Sequence, residues 1–217
     1  MYCGINDTYI LGSAPYGSLV QTGWGIQPNA KMLTFKLNWT RLVQAIDFVA
    51  AQSPGLSQFY ISKIIYLADK EHLLDYGRPI SNDRLVAMKD GPVPSSVLNI
   101  VKRDKEHCPK DALELFDARL ATRIFGNQFQ TYSKGNEDFS ELSGSDKEYL
   151  ADAVERYSRM SYPELYRLVH EDPAYNDAWS RRGDSGSVNM DLRIWLQEFE
   201  NPELAARQIA EAAVTKA

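Results

Sequence analysis

The sequence predicts a mainly α (α+β) fold: a single compact helical domain carrying a small antiparallel β-hairpin or three-stranded sheet. Three stretches carry that expectation. From Phe59 to Leu74, the residues Phe59, Tyr60, Ile61, Ile64, Ile65, Tyr66, Leu67, Ala68, Leu73 and Leu74 leave only a narrow polar side at Ser62, Lys63, Asp69 and Lys70. A helix that is apolar over most of its circumference belongs inside a domain. Next, the apolar run Leu85-Val86-Ala87-Met88 precedes Asp90-Gly91-Pro92-Val93-Pro94. Its prolines lack amide donors and push the preceding residues out of the helical region, so no helix begins before Ser95 or Ser96. Finally, Gly126-Asn127 separates Arg119–Phe125 from Gln128–Ser133 and suits a two-residue hairpin turn of type I′ or II′. Leu85–Met88 or Leu113–Phe116 is the expected third strand.

In chain order, residues Met1 to Ala30 hold a single charged residue, Asp7, and no helical period. Two readings stand: an ordered extended segment, or translation starting upstream of a natural start at Met32. Asn38 or Thr40 caps a first helix whose Trp39, Leu42, Val43, Ile46 and Val49 follow i, i+3, i+4, i+7 spacing, and Ser53-Pro54-Gly55 ends it. Ser57 is the expected cap of the central helix and Gly77 its stop. A third helix runs from Ser96 to about Lys105. Ser145-Asp146-Lys147-Glu148 and Ser161-Tyr162-Pro163-Glu164 both read as capping boxes. Arg181 to Ser187 reads as a solvated linker. It is followed by a helix over Met190–Phe199 and an alanine-rich helix capped by Asn201 with Pro202 at its first position.

Composition narrows the function classes. Among 217 residues, 29 acidic and 24 basic side chains give a net charge of -5, the wrong sign for a chain whose main task is neutralising phosphates. Nucleic acid is therefore not an expected partner. Cys3 and Cys108 have no metal-ligand spacing and are too few for a disulfide framework. No apolar run approaches 18 residues and Lys31 is the first basic residue, so the chain is expected in the cytoplasm without a membrane span. His72, His107 and His170 lie in separate elements without metal-binding spacing, so neither metal nor cofactor is expected. His170 fits a helix C-terminus, and Asp69, Glu71 and Asp75 read as a solvated charged face. Gly91-Pro92-Val93-Pro94 is no phosphate loop, because the prolines remove the donors such a loop needs. It reads either as a rigid strand-to-helix turn or as a preformed recognition edge.

An ordered series of motifs adds to this. Ile64-Ile65-Tyr66-Leu67-Ala68-Asp69, Tyr76-Gly77-Arg78-Pro79-Ile80, Ala87-Met88-Lys89 and Gly91-Pro92-Val93 are followed by Leu142-Ser143, Leu165-Tyr166-Arg167-Leu168-Val169-His170 and Trp179. This series resembles the Panacea domain of the SocA-like antitoxin family over roughly Leu37 to Trp179. The resemblance implies a domain over residues 32–180, preceded by an extension over 1–31. A linker and C-terminal helices over 181–217 would pack on the domain or on a partner. It further implies a non-enzymatic antitoxin that binds and neutralises a cognate toxin protein encoded beside it. One alternative is a proteolytic adaptor delivering the toxin to a cytoplasmic protease; another is a small hydrolase using His170 with Glu171 or Asp172. The expected partner-binding residues are Tyr66, Tyr76, Arg78, Lys89 and the turn Gly91, Pro92, Val93 and Pro94. Tyr175 and Trp179 follow as a second choice.

Overall fold

Helix α2, Gln58–Tyr76, is the axis of the fold, as its apolar circumference requires. The computed structural model describes residues 32–215, so Cys3 and both readings of the N-terminal segment lie outside the described residues. Helix α1 (Trp39–Gln52) starts where the Asn38 carboxamide oxygen accepts from the Arg41 amide at 3.1 Å. It buries Leu42, Val43, Ile46 and Val49 against the core. After the two-residue strand β1 (Leu56–Ser57), α2 begins with Ser57 at its cap, although the hydroxyl makes no capping bond. It ends at Gly77, whose φ of 71° lets its amide donate to the Leu73 carbonyl at 2.9 Å.

The polar side of α2 departs from expectation. Ser62, Lys63 and Asp69 are buried, whereas Lys70 is half-buried and Asp75 and Tyr76 at the C-terminal end are exposed. Asp69 accepts from the Ser81 amide at 2.8 Å and from the Ser81 hydroxyl at 2.5 Å. Glu71 pairs with Arg156, and Asp75 accepts from the Tyr149 hydroxyl. Of the three acidic residues expected on a solvated face, Asp69 is instead buried, whereas Asp75 is exposed as expected and Glu71 is half-buried in a surface pair.

Two small antiparallel sheets flank this axis. Strands β2 (Leu85–Met88) and β3 (Gly91–Pro94) form a hairpin in the register Met88↔Gly91 and Val86↔Val93. Pro92 and Pro94 face Ala87 and Leu85 in the pairs between, where a missing amide costs no ladder bond. Helix α3 (Ser95–Val101) follows directly and is shorter than expected. Its first amides, those of Ser96 and Val97, donate to the Asp83 carboxylate at 2.6 and 3.1 Å. Helix α4 (Lys110–Arg119) then absorbs Leu113–Phe116, which is therefore not a strand.

Strands β4 (Leu120–Phe125) and β5 (Gln128–Ser133) form the hairpin predicted from Gly126-Asn127. Its third strand is β1, and Leu85–Met88 instead centres the other sheet, in the order β3-β2-β6 with β6 (Ser187–Asn189). A two-residue strand shows no alternation, and Ser187-Val188-Asn189 lies in a Gly/Ser-rich stretch, so neither was readable. Part of the expected linker is therefore paired.

Helix α5 (Gly144–Tyr157) is capped by Ser143 with Asp146, two residues before the expected box. Helix α6 (Tyr162–His170) begins with the expected pairing, the Ser161 amide and hydroxyl donating to Glu164 at 2.9 and 2.6 Å. Helix α7 (Pro173–Ser180) is capped by Asp172. The region expected as a helix over Met190–Phe199 is a 3-10 helix, Leu192–Glu198, that buries Leu192, Trp195 and Leu196. Helix α8 (Pro202–Thr215) begins with Asn201 accepting from the Leu204 amide at 3.1 Å. Ile209 on α8 packs over Gly77, within 3.4 Å of where a Cβ would stand.

Candidate functional site

The β2–β3 turn is held from beneath by a buried lysine. Because Pro92 sits in a non-hydrogen-bonded pair, its carbonyl points away from β2 and needs another donor. Lys63, 1 % exposed, supplies it at 2.7 Å, and its ammonium also lies 5.3 Å from the Phe59 ring centroid. Burial pushes the Lys63 pKa down to about 7, against the opposing pull of Asp90.

Gly91 has a φ of +94°, and a Cβ there would stand 3.0 Å from Val169 Cγ2, 3.1 Å from His170 Cε1 and 3.1 Å from Lys63 Nζ. Gly91→Ala is therefore expected to lower stability by about 2–4 kcal/mol, left-handed strain and overpacking adding together. A urea midpoint unchanged from the parent would refute the packing account.

Around this turn runs a ribbon of rings. Tyr162, Tyr166 and His170 share one face of α6 at four-residue spacing, and Tyr175 and Trp179 do so on α7. Ring centroids step from Phe59 to Tyr162 at 4.6 Å, Tyr166 at 5.7 Å and His170 at 3.7 Å. They continue to Tyr175 at 4.8 Å and Trp179 at 6.2 Å, and the Arg182 guanidinium covers Trp179 at 4.3 Å. His170 Nδ1 faces the Tyr166 carbonyl at 2.6 Å, and Nε2 faces the Lys89 carbonyl at 3.4 Å. The Tyr175 hydroxyl donates to the Met88 carbonyl at 3.1 Å. Tyr162 is 48 % exposed, Lys89, Asp90 and Arg182 are exposed, and Tyr166, His170 and Trp179 are half-buried. Rigid aromatic rings beside an arginine and a fixed turn are what protein interfaces use at their centres.

The residues expected to bind a partner divide among three places. Lys89, Gly91–Pro94, Tyr175 and Trp179 meet at this ribbon, where Lys89 is exposed and Trp179 half-buried. Pro92, Val93 and Pro94 are buried strand residues and Tyr175 is 1 % exposed, so they lie beneath this face rather than on it. Tyr66 is corrected outright: it is fully buried, with its ring 5.8 Å from Trp195. Its apolar helix neighbours were the sign of that.

Tyr76 and Arg78 lie at the far end of α2, roughly 25 Å from Phe59 at 1.5 Å per residue. Tyr162 and Tyr166 escaped the sequence reading, although the Tyr-x-x-x-Tyr-x-x-x-His spacing across a capped helix was visible.

At that far end, Asp146 is fully buried and serves three basic groups. Arg78 reaches it at 2.8 Å, His72 at 3.3 Å and Arg41 at 3.4 Å. Ser145 Oγ lies 3.0 Å from His72 Nε2, so serine, histidine and aspartate meet here. Their wiring differs from a hydrolytic triad. Serine and carboxylate approach the same ring nitrogen, while Nδ1 faces the Arg78 carbonyl at 2.8 Å. Burial also lowers the His72 pKa.

The other hydrolase arrangement, His170 with Glu171 or Asp172, is not assembled. Asp172 is taken by Lys70 at 2.6 Å, the Trp195 indole at 3.0 Å and the amides of Ala174 and Tyr175. Among the described residues, no group of three or more His, Cys, Asp or Glu side chains is placed to hold a metal. No described helix is long and apolar enough to cross a membrane.

Comparison with known proteins gives one match. The family described as antitoxin SocA-like, Panacea domain, matches residues 61–176, from the end of the first turn of α2 into α7. No curated protein and no solved structure matches the chain.

Proposed function

This chain belongs to the SocA-like antitoxin family, Panacea domain, and from that membership we propose that it is a non-enzymatic antitoxin that neutralises a cognate toxin by direct contact in the cytoplasm. The observation that carries the choice of surface is the aromatic ribbon over α6 and α7, fixed around the Lys89-Asp90 turn. A stable complex needs about 800 Å² from each partner. The ribbon supplies its centre, with Tyr162 and Trp179 as anchors and Arg182, Lys89 and Asp90 as the polar rim. The net charge of -5 favours fast association with a basic toxin.

The test is to express the adjacent open reading frame alone and together with this chain, scoring growth and then co-purification. Toxicity relieved with a stable complex supports occlusion. Relief with loss of the partner only in cells that retain a protease would replace occlusion by delivery for degradation. Absence of toxicity and of any retained partner would overturn the proposal. Within a complex, Tyr162→Ala and Trp179→Ala are each expected to weaken binding by about 2 kcal/mol or more, roughly thirtyfold, while Lys89→Ala at the rim costs less. Equal, small effects for all three by titration calorimetry would move the interface elsewhere.

A further inference from the structure

The cleft at the C-terminal end of α2 has the features of a small-molecule site, independently of the partner-binding reading. It measures about 490 Å³, within the range of ligand pockets, and Tyr76, Arg41, Arg78, Lys36, Asn82 and the small Ala212 of α8 contribute to its walls. The Tyr76 ring, 55 % exposed, is fixed rather than loose. It stacks on His72 at 4.7 Å and meets the edge of Tyr149 at 5.7 Å.

Arg41 and Arg78 converge on the same buried carboxylate and are fixed further by carbonyls. Arg41 Nε donates to the Glu141 carbonyl at 3.1 Å, and Arg78 donates to the Pro79 carbonyl and Ser143 Oγ at 3.3 Å each. A guanidinium has five donors, so both retain some for a ligand. Lys36, Arg41 and Arg78 line the cleft without a lining carboxylate, although both arginines pair with Asp146 and Asn38 holds Glu141 at 3.1 Å. Burial lowers the Arg41 pKa, and Arg78 beside it lowers it further, against the opposing pull of Asp146, Glu141 and Asp69. Asn82, held at a φ of +52°, also lines the cleft, and its buried Oδ1 has no hydrogen-bond partner.

We propose that this cleft binds a small aromatic phosphate, its phosphoryl oxygens on Arg41 and Arg78 and its planar ring along Tyr76. Planar bidentate donors suit phosphate oxygens, and a fixed tyrosine face suits a flat ring. The ligand would also bridge α8 to the core, since Ala212 closes one wall.

The experiment is titration calorimetry on the full chain with phenyl phosphate and with inorganic phosphate as probes. One saturable site is expected, filled more tightly by phenyl phosphate. Arg41→Gln and Arg78→Gln should each weaken phenyl phosphate by about tenfold or more. Tyr76→Ala should reduce phenyl phosphate to the affinity of inorganic phosphate and leave the latter unchanged. Tyr76 is half-exposed, so that variant keeps the fold and remains decisive even if an arginine variant unfolds. No saturable binding of either probe, or binding of phenyl phosphate unaltered by Tyr76→Ala, would overturn the proposal.

Discussion

Asp146→Ala is expected to destabilise the domain by about 3–5 kcal/mol, among the largest losses available to a single substitution. The carboxylate is fully buried, caps α5 by accepting from the Ser143 amide at 2.8 Å, and faces Arg41, Arg78 and His72. Removing it leaves two guanidiniums without their shared carboxylate and takes away one of the two neighbours of the His72 Nε2 atom. It also leaves a helix amide unmet. Asp146→Asn separates these terms, because the amide oxygen can still accept from Ser143 while the charge is gone. Its loss should fall between the parent and Asp146→Ala in urea denaturation. Equal stability of all three proteins would show that the cluster contributes nothing net.

The dependence of stability on pH should carry two opposed limbs, each traceable to one residue on α2. Burial raises the Asp69 pKa from 3.8 to about 7, opposed by its bonds from Ser81. The folded state then holds a proton that the unfolded state has released, so this group's contribution to stability falls as pH rises from about 4 to about 7. Burial lowers the Lys63 pKa from 10.5 to about 7. Between those values the unfolded state binds the extra proton, so stability rises with pH across that window. Three or so pKa units correspond to something on the order of 4 kcal/mol per limb. The difference between parent and Asp69→Asn should therefore slope only on the acid side. The difference between parent and Lys63→Met should slope only on the alkaline side. A flat difference profile for either variant would show that its charge is solvated in the folded state.

Much of the framework was legible because its signals are local. An apolar circumference, a left-handed glycine and a Gly-Asn turn each fix a few residues through their own backbone and side-chain preferences, and α2, Gly77 and the β4–β5 hairpin followed. The motifs from Ile64 to Trp179 likewise pointed to the family that matches residues 61–176. The candidate site was legible only in part. Lys89 and Trp179 lie on the ribbon, but Tyr66 is fully buried, and residue type does not reveal burial.

The sequence by itself determined the helical character of α1, α2, α6 and α8, where the central helix starts and stops, and which family the chain joins, whereas α4 and α7 carried no such local signal. Tertiary structure decided which polar groups are buried, which serine caps α5, and which short strands complete each sheet. Ser143 and Ser145 each head a capping frame, and the choice falls to Ser143 because Asp146 closes its box while Ser145 turns to His72. Leu56–Ser57 and Ser187–Asn189 become strands only because β5 and β2 present edges to them. These outcomes depend on partners distant along the chain, as 12 residues separate Asp69 from Ser81 and 73 separate His72 from Ser145. Burial and pairing are properties of what packs against a residue, and that neighbour is absent from the residue's own stretch of chain.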